Sequence, residues 1–288
     1  LAGSESLRFI LVLDGAAGTK IDNDATPLKQ IAQDYSEQVE LLYSGAENGL
    51  LNLLKSLEVG WNRCFEQASE NDFVVKLDPD CIILSNSLFE RAQERLRKQG
   101  PGMVGNITLN PRGEARSIRK HAIKTFVDAL LPVGIRKIGK TKDGRWRYSL
   151  SMTRPHYRPA IWQARRFGWI PGESVLGAFR MMNIETLRLI RNQRSYQASI
   201  QGSFLGLNRE EDLFFSIYTK AVGHNLVELE PAETLLNPKA WFDAFSLNGL
   251  DMGQVKLGKY DAIHPAKADP EKCAVRSIFP VQPRNAQN

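Results

Sequence analysis

Two aspartates, Asp78 and Asp80, flank Pro79 directly after the apolar run 73–77. That spacing lets both carboxylates approach one divalent cation, either directly or through its water molecules. Mg²⁺ and Mn²⁺ prefer oxygen ligands of this kind and also bind diphosphate oxygens. Asp-Pro-Asp is also a favourable turn sequence, because Asp bonds to nearby backbone and Pro fixes φ. The residues alone therefore leave a metal site and a plain turn as alternative interpretations.

The pattern of apolar residues predicts strands that alternate with helices. Strands are predicted at 7–13, 39–43, 73–77, 102–107, 174–179 and 225–229, and helices at 26–35, 50–68, 87–98, 184–192 and 210–221. The run 7–13 is continuously apolar, which predicts a central strand buried on both faces. Gly223 is placed to cap the last helix. This order is typical of an α/β fold with a mostly parallel sheet, whose ligands bind at the carboxyl ends of the strands.

The positive charge of the chain is concentrated between residues 111 and 170. This segment has fifteen Lys and Arg against three acidic residues, a net charge of +12, which leaves −6 for the rest of a chain whose total is +6. An acidic body with one basic segment indicates an anionic partner there. The segment shows no sustained period and predicts an insertion of helix and loop. A solvated basic loop is the structural alternative.

The composition is that of a globular protein, with 42% hydrophobic and 24% charged residues. No apolar run approaches the roughly 20 residues that span a bilayer. The first six residues lack the basic and apolar regions of a signal peptide. Cys64, Cys81 and Cys273 have no paired spacing, which favours reduced thiols in a cytoplasmic protein over a disulfide or a zinc site.

Further motifs resemble a known enzyme family. Residues 60–64, Gly-Trp-Asn-Arg-Cys, lie upstream of Asp78 and are similar to the A-x-N-x-G segment of family 2 glycosyltransferases. Residues 209–213, Arg-Glu-Glu-Asp-Leu, resemble that family's E-D motif, and 223–226 resemble the A-x-G-x-x-L that follows it. The order of strands, Asn-bearing helix, D-x-D and E-D is also similar.

The resemblance covers roughly residues 7–107 and 172–230 and implies the GT-A type of α/β fold, with a Rossmann-like sheet. Two departures are visible. Cys64 stands where the family has glycine, and the family's Gly-Gly-Phe-Asp segment before E-D is absent. The box at 163–167, Gln-Ala-Arg-Arg-Phe, differs in place and in its last residue from that of processive synthases, so a processive synthase is not expected.

The resemblance implies a nucleotide-sugar donor, with UDP-sugars favoured, bound through Mn²⁺ or Mg²⁺. Asp80 is the implied direct metal ligand, Asp78 its partner toward metal water or ribose, and His264 the histidine that completes the metal site. A divalent cation stabilises the negative charge that grows on the leaving nucleoside diphosphate. A loop histidine at the surface is the structural alternative for His264.

The same resemblance implies roles for five other residues. Asp212 is the implied base for the acceptor hydroxyl, with Glu211 as its rival. Acidic residues at a helix start also complement the helix dipole, which is their structural alternative. Asp14, Asn48 and Asn62 are the implied contacts to the nucleotide, although Asp-Gly turns and Asn caps are common.

We therefore expect one GT-A type catalytic domain over 1–288. It would have a nucleotide-sugar-binding half at 1–110, the basic insertion at 111–170, and an acceptor-binding half with a tail at 171–288. The expected reaction is hexosyl transfer, with inversion, to a glycan or lipid-linked acceptor that can be anionic, in polysaccharide or glycoconjugate synthesis. Nucleic acid is not an expected partner, whereas peripheral contact with the inner face of the membrane is compatible with the basic segment.

Two other function classes remain as alternatives. A nucleotidyltransferase has a similar sheet and paired acids, and residues 14–20 weakly resemble its glycine-rich loop. A non-enzymatic binding module would use 111–170 to hold nucleic acid or anionic lipid. Steep salt dependence without nucleoside diphosphate affinity would favour such a module.

Overall fold

The computed structural model describes most of the helices and strands that frame the predicted site. The described residues are 8–13, 26–45, 50–78, 81–107, 134–140, 143, 146–151, 157–201, 211–229, 240–242, 253–254, 257 and 259–264. Asp14, Asn48, Asp80 and the predicted nucleotidyltransferase loop at 14–20 lie outside them.

Strands and helices alternate in the first part of the described chain, whereas runs of strands and a run of three helices follow later. The strands are β1 Phe9–Leu13, β2 Val39–Tyr43, β3 Phe73–Leu77, β4 Ile82–Ile83, β5 Gly102–Gly105, β6 Gly134–Lys140, β7 Trp146–Ser151, β8 Phe179–Asn183, β9 Asn225–Glu228, β10 Ala240–Phe242 and β11 Ala262–His264. The helices are α1 Thr26–Asp34, α2 Leu50–Gln67, α3 Ser87–Gln99, α4 Arg158–Arg166, α5 Ile184–Arg191, α6 Arg194–Gln201 and α7 Glu211–Ala221.

The chain divides into two compact units. Unit 1 comprises Leu1–Asp72, Asp128–Pro159 and Arg188–Glu211, and unit 2 comprises Phe73–Val127, Ala160–Leu187 and Asp212–Asn288. These boundaries differ from the predicted halves at 1–110 and 171–288, because both units draw on early and late parts of the chain. The assignment of a donor half and an acceptor half stays a prediction.

Unit 1 contains a parallel strand pair covered by a helix. β1 and β2 pair in parallel from Phe9↔Val39 to Leu13↔Tyr43. α2 packs closely on this pair, since a Cβ added to Gly60 would lie 3.2 Å from a methyl of Val12. β6 and β7 form an antiparallel pair within 134–151.

Unit 2 contains a mixed sheet in the order β3-β8-β5-β9. β8 is antiparallel to β3 and to β5, whereas β5 and β9 are parallel. β3, β5 and β9 therefore run in one direction, and their carboxyl ends meet at one edge. A smaller sheet has the order β10-β11-β4, in which β11 is parallel to β10 and antiparallel to β4.

The core of unit 2 lies between α3 and the sheet. Leu88, Phe89, Ala92 and Leu96 of α3 recur at helical spacing and are buried against Phe179 and other apolar side chains of the sheet. Gly105 allows close strand packing, because an added Cβ would lie 2.7 Å from the Phe179 carbonyl oxygen. This packing fixes the edge that carries the candidate site.

Much of the predicted element order is confirmed, as is the α/β class in its broad sense. The strands at 39–43 and 73–77 have the predicted bounds, and the predicted helices are present to within a residue or two. Gly223 has φ +83°, as expected of a glycine that ends a helix. Among the described residues, none of the helices combines the length and apolar character needed to cross a membrane.

Several predictions are wrong. The strand predicted at 174–179 is Phe179–Asn183, because the main-chain N–H groups of Val175 and Leu176 bond to Ser216 and Asn106 instead of to a strand. β1 is only partly buried, and Phe9 is exposed. Among the described strands, β1–β2, β5–β9 and β10–β11 pair in parallel and the other pairs are antiparallel, so the predicted mostly parallel sheet is present only in part. The loop expected after 192 contains α6, and the segment expected to be helix and loop contains the β6–β7 pair.

Candidate functional site

Asp78 lies at the carboxyl end of β3, at the edge where β5 and β9 also end. Its main-chain N–H donates to the Ala178 carbonyl at 3.1 Å, which continues the pairing of β3 with the chain before β8. Its carbonyl accepts from Cys81 at 3.0 Å, so the chain turns here as Asp-Pro-Asp favours. The turn interpretation and a site at this edge are therefore compatible.

His264 reaches the same place from the end of the described chain. β11 pairs antiparallel with β4, with Ala262 opposite Ile83 and Ile263 opposite Ile82. This register brings His264 beside the turn that precedes β4. Nε2 of the buried His264 lies 3.4 Å from Oδ2 of Asp78. The structure thus brings together two predicted metal ligands that are far apart in sequence.

Asp261 fixes the strand that carries His264. Its carboxylate accepts from Ser87 at 2.6 Å and pairs with Arg91 at 2.5 Å, both on α3. Its main-chain carbonyl accepts from Leu84 at 2.7 Å, just after β4. Three contacts therefore hold the start of β11 in place.

Lys76 is a residue of this site that the sequence interpretation missed. Its buried ammonium donates to Oδ1 of Asp78 and, at 2.8 Å, to the carbonyl of Gly177. A lysine inside the apolar strand Phe-Val-Val-Lys-Leu was the available signal, because lysine is almost never fully buried unless it is paired. Lys76 and His264 thus contact the two oxygens of the same carboxylate.

These two partners decide the charge of Asp78. Burial alone would raise the pKa of Asp78, but the hydrogen bonds and charges of His264 and Lys76 outweigh it and lower the pKa from 3.8 to about 2. Asp78 is therefore a carboxylate at neutral pH, as metal binding requires.

The Asp78 carboxylate suits Mn²⁺ or Mg²⁺, which prefer oxygen ligands, whereas the imidazole nitrogen of His264 beside it suits a transition metal better than Mg²⁺. Within the described part of the chain, no cluster of three His, Cys, Asp or Glu side chains could hold a metal ion. Asp80, the predicted direct ligand, lies outside that part. The described residues thus supply two of the three predicted ligands.

The E-D motif begins α7, as expected. Oδ1 of Asp212 lies 3.9 Å from the guanidinium of Arg180, which is fully buried and lies 4.8 Å from the centre of the Phe215 ring. The main-chain carbonyl of Asp212 accepts from Ser216 at 2.6 Å. Glu211 is the first residue of the helix. Asp212 is therefore held beside a buried cation at a helix start.

Strand register links the two motifs. Lys76 on β3 lies directly opposite Arg180 on β8. Opposed residues of an antiparallel pair project from the same face, with Cβ atoms about 5 Å apart. Lys76 contacts Asp78, and Arg180 approaches Asp212. Two buried cations, one beside Asp78 and one near Asp212, thus lie opposite each other on β3 and β8, which residue spacing could not reveal.

Asn62 has a different environment, within unit 1. Its Oδ1 accepts from Arg191 at 2.5 Å, and Arg191 also pairs with Glu58 at 2.8 Å. Tyr196 donates to the same Glu58 at 2.6 Å. These bonds tie α2 to α5 and α6. A nucleotide contact by Asn62 stays a prediction, as do those by Asp14 and Asn48, which the structure does not describe.

Comparison with known proteins adds no relative. No protein-family model matches the sequence, and a search of curated proteins finds no significant match. What the site does must therefore be inferred from its own residues.

Proposed function

We propose that the chain is a metal-dependent glycosyltransferase of the GT-A type. It transfers a sugar from a nucleoside diphosphate sugar, with UDP-sugars favoured, to an acceptor hydroxyl and inverts the anomeric carbon. The observation that supports this best is the meeting of Asp78 with His264 at the carboxyl end of β3. Local sequence does not require that meeting, and ligands of open α/β sheets bind at this edge.

Each residue of the candidate site has its own role in the proposed reaction. Asp78 and His264, with Asp80, would hold Mn²⁺ or Mg²⁺, which stabilises the charge on the leaving diphosphate. Lys76 holds the Asp78 carboxylate in place by bonding one oxygen, which leaves the other directed to His264. A fixed carboxylate needs little reorganisation when the donor binds.

Asp212 serves as the base that takes the proton of the acceptor hydroxyl. Arg180 and the Ser216 bond hold it at the start of α7. Because Lys76 and Arg180 are cross-strand partners, donor and acceptor chemistry would occur on one face of the sheet. Glu211, the preceding residue, is the rival for this role.

A thermal-shift experiment tests the proposal. UDP and GDP are added to the full chain with Mn²⁺ or with EDTA. A ligand at about 100 times its Kd stabilises the folded state by about 2.7 kcal/mol, which corresponds to a rise of about 5 °C in Tm. We expect this rise with UDP and Mn²⁺ and a smaller one in EDTA.

Two variants and a matched control show whether the metal-dependent rise in Tm arises at the candidate site. Asp78→Asn and His264→Ala should lose the metal-dependent part of the shift. His224→Ala should keep it, since His224 contacts Thr186 at 2.9 Å instead of the candidate site. No shift with either diphosphate, or an unchanged shift in Asp78→Asn, would refute the proposal.

A further inference from the structure

Three large apolar side chains are exposed within nine residues, on α4 and in the segment directly after it. Trp162 is 54% exposed, Phe167 50% and Ile170 61%. The opposite side of the same segment is buried, through Ile161 and Ala164. The segment therefore buries one side and exposes Trp162, Phe167 and Ile170 to solvent among polar and basic residues.

The backbone directly after α4 forms a hydrogen-bonded turn. Gly168 has φ +79°, and the N–H of Trp169 donates to the Ala164 carbonyl at 2.9 Å while that of Gly168 donates to the Arg165 carbonyl at 3.1 Å. This is the hydrogen-bond pattern of a Schellman motif. Trp169 is buried, and its indole N–H donates to the Glu173 carbonyl at 3.0 Å. The backbone between the exposed apolar residues is thus fixed by hydrogen bonds of the turn.

Basic residues surround the exposed apolar side chains. Arg165 and Arg166 are exposed in the last turn of α4. The ring of Phe167 lies beside Gly223, since a Cβ added there would be 3.6 Å away. Gly223 ends α7, whose last turn carries Lys220. The neighbourhood thus contains the basic residues Arg165, Arg166 and Lys220 and the carboxylate of Glu173, which accepts from the N–H of Ile170 at 3.4 Å.

We propose that Trp162, Arg165, Arg166, Phe167 and Ile170, here called the α4 patch, dock the protein on an anionic lipid bilayer. The three apolar side chains enter the boundary between headgroups and acyl chains, and the arginines contact lipid phosphates. Exposed aromatic and aliphatic side chains with arginine near them bind the interface of a membrane through buried apolar area and attraction to anionic lipid. Charge complementarity identifies the partner, because anionic leaflets attract such clusters.

A bilayer fits better than single-stranded nucleic acid. Nucleic acid would stack its bases on Trp162 and Phe167 and pair its phosphates with arginine. Ile170, which is the most exposed of the three, is aliphatic and offers neither base stacking nor phosphate pairing. The α4 patch does not depend on the proposed transferase reaction, and its test needs no nucleotide.

Co-sedimentation of the full chain with vesicles tests the α4 patch. We expect binding to phosphatidylcholine vesicles that contain about 30 mol % phosphatidylglycerol and little binding to phosphatidylcholine alone. Binding should fall when NaCl rises from about 0.1 M to about 0.5 M, because salt screens the attraction. Trp162→Ser/Ile170→Ser should lower the partition coefficient about tenfold or more. Arg165→Gln/Arg166→Gln should lower it about fivefold for each charge removed.

A matched control removes exposed apolar residues elsewhere. Leu28 and Ile31 of α1 are 36% and 43% exposed, so Leu28→Ser/Ile31→Ser should leave the partition coefficient unchanged. Melting curves of each variant confirm that it is folded. The proposal is wrong if the full chain does not co-sediment with anionic vesicles. It is also wrong if Trp162→Ser/Ile170→Ser binds these vesicles as well as Leu28→Ser/Ile31→Ser does. It is also wrong if a single-stranded oligonucleotide of about 20 nucleotides displaces the protein from the vesicles through the α4 patch.

Discussion

Replacement of Asp78 by asparagine should make the free energy of unfolding less dependent on acid pH. The pKa of Asp78 is lowered on folding from 3.8 to about 2, because Lys76 and His264 outweigh the effect of burial. Since the folded pKa is the lower one, this stabilisation is present above the unfolded pKa. It is lost as the pH falls toward the folded pKa.

The size of the effect follows from the shift. Each pKa unit corresponds to about 1.4 kcal/mol, so the ionised carboxylate contributes about 2 kcal/mol at neutral pH. About 1 kcal/mol should be lost by about pH 3 and about 2 kcal/mol by about pH 2. The difference in unfolding free energy between wild type and Asp78→Asn should therefore narrow by about 2 kcal/mol from about pH 6 to about pH 2.

Urea unfolding in EDTA measures this difference without metal. Asp72→Asn is the matched control, because Asp72 is an exposed carboxylate next to the same strand. The change in Asp72→Asn over the same pH range is subtracted. If the remaining difference between wild type and Asp78→Asn stayed constant from about pH 6 to about pH 2, the pairing of Asp78 with Lys76 and His264 would be refuted.

Three further substitutions test neighbouring parts of the structure. Lys76→Met should lower the free energy of unfolding, measured with urea, by about 2 kcal/mol, because Asp78 loses its buried partner. An unchanged free energy of unfolding would show that the Lys76–Asp78 pair does not stabilise the fold. Arg91→Leu leaves Asp261 buried without that cation and should cost about 3 kcal/mol, with Arg97→Leu as a control on the same helix. Gly223→Ala should cost about 1 kcal/mol through its positive φ alone, since the added Cβ is in ordinary contact with Phe167; a rise in Tm would contradict this.

The sequence predicted elements whose pattern is local. β3 is a mostly apolar run that Asp78 follows directly, and α3 repeats its apolar residues at helical spacing. The sequence therefore predicted both elements. The β6–β7 pair was missed: β6 is rich in basic residues and lacks alternation, and the strict alternation of Trp146–Ser151 in β7 was overlooked inside a segment treated only as basic. The strand at 174–179 was misplaced because an apolar run does not show which residues pair with a neighbouring strand.

The sequence predicted the candidate site only in part, because it shows local motifs but not which distant segments pair. Motif resemblance singled out Asp78, Asp212 and His264, but it could not show which of them lie together. That depends on two registers, β11 on β4 and β3 on β8, which are set by pairing between distant segments. The place of Lys76 inside an apolar strand was a signal in the sequence, whereas Arg180 became recognisable only when its burial and its opposition to Lys76 across the sheet were known.

Binding of Mn²⁺ in the presence of UDP tests the proposed metal–diphosphate site most directly. The electron paramagnetic resonance signal of free Mn²⁺ is titrated with the full chain and with its variants. We predict that wild type and His224→Ala remove the free signal, and that Asp78→Asn and His264→Ala do so at least about tenfold less well, as loss of one ligand contact implies. A free Mn²⁺ signal that the wild-type protein leaves unchanged, with or without UDP, would contradict the proposed site.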